Sequence, residues 1–181
     1  MFHVVLHEPE IPNNTGNIGR TCVATGSALH LIEPLGFDID EKACRRAGLD
    51  YWPRLRLSVH SNYDAYELGT SGARRWMLST RGGSALYEAE LRPGDHLIFG
   101  KESKGLPGEL VALGGERVLR VPMVLGERSL NLSSVVCTVL YEGIRQCVAR
   151  GEAGVDPNGI LTWPSASGNP SALGTSGVPG A

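Results

Sequence analysis

The chain has 181 residues, 41% of them hydrophobic and 20% charged, with a formal net charge of −2. This fits one globular domain and argues against a chain that coats nucleic acid by bulk attraction. With no apolar run near the ~20 residues that cross a bilayer, and no basic-then-apolar leader, the expectation is a cytoplasmic protein that meets no membrane.

Phe2 to Leu6 is apolar around a Val-Val pair and reads as a buried strand. His7 to Gly16 holds two prolines followed by Asn, Thr and Gly, and reads as a loop. Beyond it Ile18, Cys22, Val23 and Ala24 recur at helical spacing, with Asn17 as a plausible N-cap. Leu29 to Ile32 is a second strand, stopped by Glu33-Pro34, and Glu41 to Ala47 a short helix ending at Gly48. Leu55 to Val59 reads as a strand, Tyr63 to Leu68 as a helix and Trp76 to Ser79 as a strand. The turn Arg92 to Asp95 leads into a strand at His96 to Phe99, then a helix at Pro107 to Leu113 with Pro107 in its first turn. Val118 to Val121 is the last strand, and Ser133 to Ala149 the longest helix.

Short apolar strands alternating with helices predict an α/β fold with a mainly parallel sheet in a single domain over residues 1–150. From Gly151 the chain turns rich in Gly, Pro, Ser and Ala, so residues 151–181 read as a disordered tail with Trp163 an isolated exposed aromatic. Cys22, Cys44, Cys137 and Cys147 are widely spaced and form no CxxC pair, so they read as reduced, buried thiols and no zinc site is expected.

Ligands of open α/β sheets sit beyond the carboxyl ends of the strands, where three Gly-rich polar stretches fall. They are Asn13 to Arg20, Phe99 to Pro107, and Val121-Pro122-Met123 continuing to Ser129 to Ser134. Taken singly, the first also fits a turn with a helix cap, and Ser133 and Ser134 also fit N-caps of the long helix. Arg20 is harder to absorb: one turn into the expected helix, its cation opposes the positive end of the dipole, which points to an anionic partner.

The set NNTGNIGR (Asn13 to Arg20), LIFGKESKGLP (Leu97 to Pro107) and VPM…SLNLS (Val121 to Ser133) resembles the SpoU-type (TrmH) branch of the SPOUT RNA methyltransferases. The opening HEPEIPNNTGNIGR resembles its smallest members, the TrmL-like enzymes, and the resemblance covers residues 1–149. It implies a C-terminal trefoil knot in the sheet, a homodimer with active sites at the interface, and S-adenosylmethionine as methyl donor, with S-adenosylhomocysteine left as product. Substrate would be the ribose 2′-hydroxyl of cytidine or modified uridine at the wobble position, in the anticodon stem-loop of tRNA. DNA is not an expected partner.

Carried over by position, the resemblance assigns the cofactor to Leu78, Ser79, Thr80, Gly100, Glu102, Val121, Met123, Ser129 and Leu130. It assigns the catalytic machinery to Arg20, Asn14, Asn131 and Tyr141. Lys101, Gly19 and Val135 depart from the residues usual at those positions. Methyl transfer from a sulfonium to an alcohol needs alignment and proton removal but no metal, and none is expected. Guanidinium groups hold their proton to pH ~12, so Arg20 is better suited to clamp a phosphate than to act as base. For RNA contact, Arg45, Arg46, Arg54 and Arg56 cluster around Tyr51 and Trp52, and arginines with aromatics can hold phosphates and stack unpaired bases. A solvated charged face with a partly buried Trp is the other reading of that segment. Ribosomal RNA as substrate, and a binding module without catalysis, remain alternatives. A Rossmann dehydrogenase is weak, since no G-x-G-x-x-G follows the first strand.

Overall fold

The computed structural model describes residues 1–39 and 49–164. The strands of its main sheet are β1 (His3–His7), β2 (Ala28–Ile32), β3 (Arg56–His60), β4 (Arg75–Leu78), β5 (Ser84–Ala85), β6 (His96–Phe99) and β7 (Val118–Arg120). They lie in the order β3-β2-β1-β6-β4-β7-β5, and every pairing is parallel. Helices α1 (Pro12–Thr25), α2 (Tyr63–Gly69), α3 (Gly108–Gly114) and α4 (Leu132–Ala149) flank it.

Parallel strands covered on both faces read as continuous apolar runs, which is why β1 and β6 show no alternation. Successive side chains still part to opposite faces. Val4, Leu6, Leu29, Leu31, Leu97 and Phe99 pack with Ile18 and Cys22 of α1 and with Val136, Val139 and Leu140 of α4. Val5, Ile32, Met77 and Ile98 face Tyr66 of α2 and Leu110 of α3. This second face also carries His30 and His96, both buried. Burial, together with the neighbouring His3, pushes His30 down to about 4 and His96 down to about 3. Strand β5 escaped the sequence reading because its two residues are too short to carry a pattern; pairing to β7 defines it.

Helix α1 begins at Pro12, five residues before the expected cap at Asn17. Proline suits the first helical position because its φ is pre-set and its missing N–H would have no partner there. Asn13 to Gly16 are therefore helical, and Arg20 lies more than two turns inside. The dipole's field fades within the first turn, so the helix-end argument for an anionic partner fails; Asp50 supplies that anion instead.

The expected disordered tail is corrected over its first part. Gly154–Val155 and Leu161–Thr162 pair as antiparallel strands β8 and β9. Their turn is closed by Asp156 Oδ1, which accepts from Asn158 N at 2.9 Å and Ile160 N at 2.8 Å. Trp163 is not isolated: its Nε1 donates to Thr25 O at 2.8 Å and its ring meets Phe2 edge-on at 6.0 Å. Composition averaged over the tail hid a local turn in which Asp, Pro, Asn and Gly each suit their place. Residues 165–181 lie outside the described residues, as do the expected helix at 41–47 and Cys44.

Candidate active site

Strands β6, β4 and β7 are neighbours, and the loops leaving their carboxyl ends meet in one cleft of about 360 Å³. Leu78, Ser79 and Thr80 enter from β4, Gly100 and Glu102 from β6, and Val121, Met123, Ser129 and Leu130 from β7. All of the residues expected around the cofactor thus line a single cavity. Asn14 of the first motif, Ile11 just before it and Asn131 of the third motif also line it.

A continuous hydrogen-bond chain joins the three motifs. Glu102 accepts from Glu10 N at 2.8 Å and from Ile11 N at 3.3 Å, placing a carboxylate at the positive end of α1. It also accepts from Asn14 Nδ2 at 2.9 Å, and Asn14 Oδ1 accepts from Asn131 Nδ2 at 3.0 Å. Asn131 Oδ1 then accepts from Ser133 N at 2.9 Å and Ser134 N at 3.3 Å. The cap of α4 is therefore Asn131, not Ser133 or Ser134. Because Asn14 is buried and bonded at both ends of its amide, its orientation is fixed by the other two loops.

Two further ties run between the first and second loops. Lys101 Nζ pairs with Glu8 Oε2 at 2.5 Å, which gives this unusual lysine a structural reason. Glu10 accepts from Ser103 Oγ at 2.8 Å and Ser103 N at 2.9 Å. Those bonds from Ser103 hold the Glu10 carboxyl below its ordinary range, while the Glu8 bond raises Lys101. The sequence reading missed Glu8, Glu10 and Ser103; the available signal was the matched spacing of Glu8/Glu10 against Lys101/Ser103. Gly100 is required by the fold of its own loop. A Cβ there would collide with the backbone of Gly105 and Leu106, which folds back to bridge Lys101 and Gly105.

Arg20 and Tyr141 are not in the cleft. Tyr141 lines a shallower groove of about 560 Å³ between α1 and α4, with Asn17, Thr21, Ser133, Ser134, Cys137 and Thr138. Arg20, on the same helix as Asn17 and Thr21, bonds Asp50 Oδ1 at 3.3 Å and lies over the Tyr51 ring at 4.4 Å. Its side chain is 61% exposed and that of Asp50 78%, so the pair is a weak one that a phosphate can displace.

The arginine-aromatic segment is corrected in part. Tyr51 is buried, with its hydroxyl donating to Gly16 O, so it presents no face for a base. Trp52 is half-buried against the core, and Gly19 is what admits it: a Cβ there would stand 3.2 Å from the Trp52 ring. Arg54 is exposed, whereas Arg56 donates to Gly26 O. Arg45 and Arg46 lie outside the described residues.

Among the described residues the cleft holds no cysteine, and burial pushes Cys22 up to about 12 and Cys147 up to about 11. Amides, hydroxyls and main-chain groups over apolar walls (Leu78, Phe99, Leu106, Leu119) suit the holding and aligning of a ligand rather than covalent attack by a thiolate.

The model of the SpoU rRNA Methylase family matches residues 1–141, and the chain belongs to that family. A relative from Saccharophagus degradans, the tRNA (cytidine(34)-2'-O)-methyltransferase, is 48% identical over 147 residues, covering 81% of this chain and 96% of the relative. The enzyme of the same name from Escherichia coli K12 is 46% identical over 147 residues, covering 81% and 94%. A solved structure concerned with 2-OH methylation of C/U34 on tRNA superposes with a TM-score of 0.77 at 47% identity, covering 83% of this chain and 98% of that one.

Proposed function

We propose that this chain transfers a methyl group from S-adenosylmethionine to the ribose 2′-hydroxyl of the wobble nucleotide of tRNA. The observation that carries this reading is the convergence of the three motif loops on one cleft, tied through Glu102, Asn14 and Asn131. The cleft fits the methyl donor: about 360 Å³ is within the range that encloses drug-sized ligands, and apolar walls beside free loop edges suit an adenine ring. When bound there, S-adenosylmethionine supplies a methyl group already on a good leaving group. Leu78, Ser79, Thr80, Gly100, Val121, Met123, Ser129 and Leu130 would hold it; Glu102, Asn14 and Asn131 position the loops around it.

Arg20 acts on the RNA. Its guanidinium leaves Asp50 for a phosphate beside the target and orients the hydroxyl, a fork geometry that Lys cannot reproduce. Because Arg20 and Tyr141 lie outside the cleft of their own chain, a homodimer in which each chain's α1/α4 surface completes the partner's cleft accommodates both sets. A trefoil knot formed by the third loop, and a cytoplasmic place of work beside tRNA, belong to the same reading. No helix of the described residues is long and apolar enough to cross a membrane. DNA is not proposed as a substrate, since it lacks the 2′-hydroxyl.

Unmodified tRNA incubated with the chain and labelled S-adenosylmethionine, then digested and analysed by mass spectrometry, tests the proposal. A 2′-O-methyl nucleotide at the wobble position is expected, and Arg20→Ala should abolish it. Label in ribosomal RNA alone, the substrate in the family description, would move the substrate; no transfer to either would leave a binding module.

A further inference from the structure

From the amino-terminal ends of β1 and β6 across to the last residue of β3, the α2 face gathers four histidines and a tyrosine. His3 and His96 are register partners on neighbouring strands, His30 stands on β2 and His60 ends β3. His3 Nδ1 lies 2.9 Å from His30 Nε2, His30 Nδ1 lies 3.0 Å from His60 Nε2, and His96 Nδ1 lies 2.7 Å from the Tyr66 hydroxyl. The His3 and His96 rings are stacked at 4.3 Å.

We infer that His3, His30 and His96 form a binding site for a divalent transition-metal ion of the zinc class. One ring nitrogen from each lies within 4.8 Å of the others. Zn–N bonds of ~2.0–2.1 Å in tetrahedral geometry require nitrogens ~3.3 Å apart, so closure takes small side-chain shifts. His3 must tilt out of its stack on His96, and as the least buried of the three it is the one free to do so. Histidines that ligate metals are held by a partner on the other ring nitrogen. Here His30 has His60 and His96 has Tyr66, which leaves Nε2 of His96 for the ion, and Nε2 of His30 once the ion replaces its hydrogen bond with His3 Nδ1. Neutral imidazoles can ligate by shifting a proton from one ring nitrogen to the other, so none need be released. An all-imidazole set suits zinc, nickel, copper or cobalt rather than calcium or magnesium, which take oxygen. Arg75, whose guanidinium stands 5.6 Å from the Tyr66 ring, is paired with Glu67 at 3.7 Å, which tempers its repulsion of a cation. Three protein ligands leave one position for water, and the ion would pin β1, β2 and β6 together. This departs from the expectation of no metal, which rested on cysteine spacing and on the methyl-transfer chemistry.

The test uses the untagged full-length chain, stripped with chelator and titrated with Zn²⁺ alone by calorimetry, with Co²⁺ alone as an optical probe. One equivalent should bind and raise the melting temperature, and Co²⁺ should give tetrahedral d–d bands without thiolate charge transfer. His60→Asn, which removes only an outer partner, should weaken binding ~10–100-fold; His3→Asn should weaken it by more than ~100-fold. Cys137→Ser should leave the binding of Zn²⁺ and Co²⁺ unchanged. Absence of saturable binding, binding that survives His3→Asn, or loss in Cys137→Ser would overturn the inference. If His3→Asn fails to fold, absence of d–d bands in the wild-type chain at one equivalent of Co²⁺ overturns it equally.

Discussion

Two regions of the same parallel sheet solve the problem of polar groups in different ways. At the carboxyl ends, charged side chains on loops bind each other and the backbone across the cleft: Glu8 with Lys101, Glu10 with Ser103, Glu102 with α1. On the α2 face, from the amino ends of β1 and β6 across to the last residue of β3, neutral imidazoles on the strands themselves pair with one another and with Tyr66. Loops near water tolerate full charges because solvent screens them, whereas the covered face keeps its titratable groups uncharged. The cleft is therefore free to open around a ligand, while the histidine face resists protonation.

The sharpest way to break the cleft is Gly100→Ala. The new methyl meets backbone rather than a flexible side chain, so a loss of about 3 kcal/mol in chemical denaturation is expected, with loss of cofactor binding by calorimetry. Unchanged stability would show that the loop can yield.

The histidine face should reveal itself through pH. His30 and His96 have folded values of about 4 and about 3, below the unfolded value near 6.5. The unfolded chain thus binds more protons below pH 6.5. The stability from keeping them neutral is complete above 6.5 and is lost as pH falls toward about 4. Between pH 7 and pH 5 each histidine accounts for a loss of about 2 kcal/mol, so about 4 kcal/mol for the two is expected in urea melts, and a flat profile would contradict the burial argument.

Asn131→Ala removes the α4 cap and leaves Asn14 short of a partner, at a cost of about 1–2 kcal/mol by thermal unfolding. Methyl transfer should fall further than that loss explains, since the link between the first and third loops is gone. The smallest effect belongs to the hairpin: Trp163→Phe keeps the ring against Phe2 but leaves Thr25 O without its donor, costing about 1 kcal/mol.

The contrast between the two regions also explains what the sequence could convey. Most of the cleft is written in contiguous runs, so Gly100, Glu102 and Ser129 to Asn131 were legible together, as were the strands that carry them, whereas Leu78 to Thr80 came from the family resemblance alone. Helix α1 was misjudged because Pro12 and Gly16 look like loop residues until Glu102, far along the chain, is seen at the helix start. The histidines at 3, 30, 60 and 96 share no motif; only strand order brings them together. Tyr51 and Trp52 looked like a stacking surface because sequence cannot tell an aromatic turned toward Gly16 and Gly19 from one turned outward.

The division of labour between the cleft and the α1 surface is tested most directly by steady-state methyl transfer to unmodified tRNA by wild type and Arg20→Ala, each at varied S-adenosylmethionine. The account predicts that Arg20→Ala lowers kcat by at least ~100-fold, as loss of a positioned catalytic group does, with the KM for S-adenosylmethionine unchanged. A raised KM for the cofactor with kcat intact would contradict it, because Arg20 would then be serving the cleft and not the RNA.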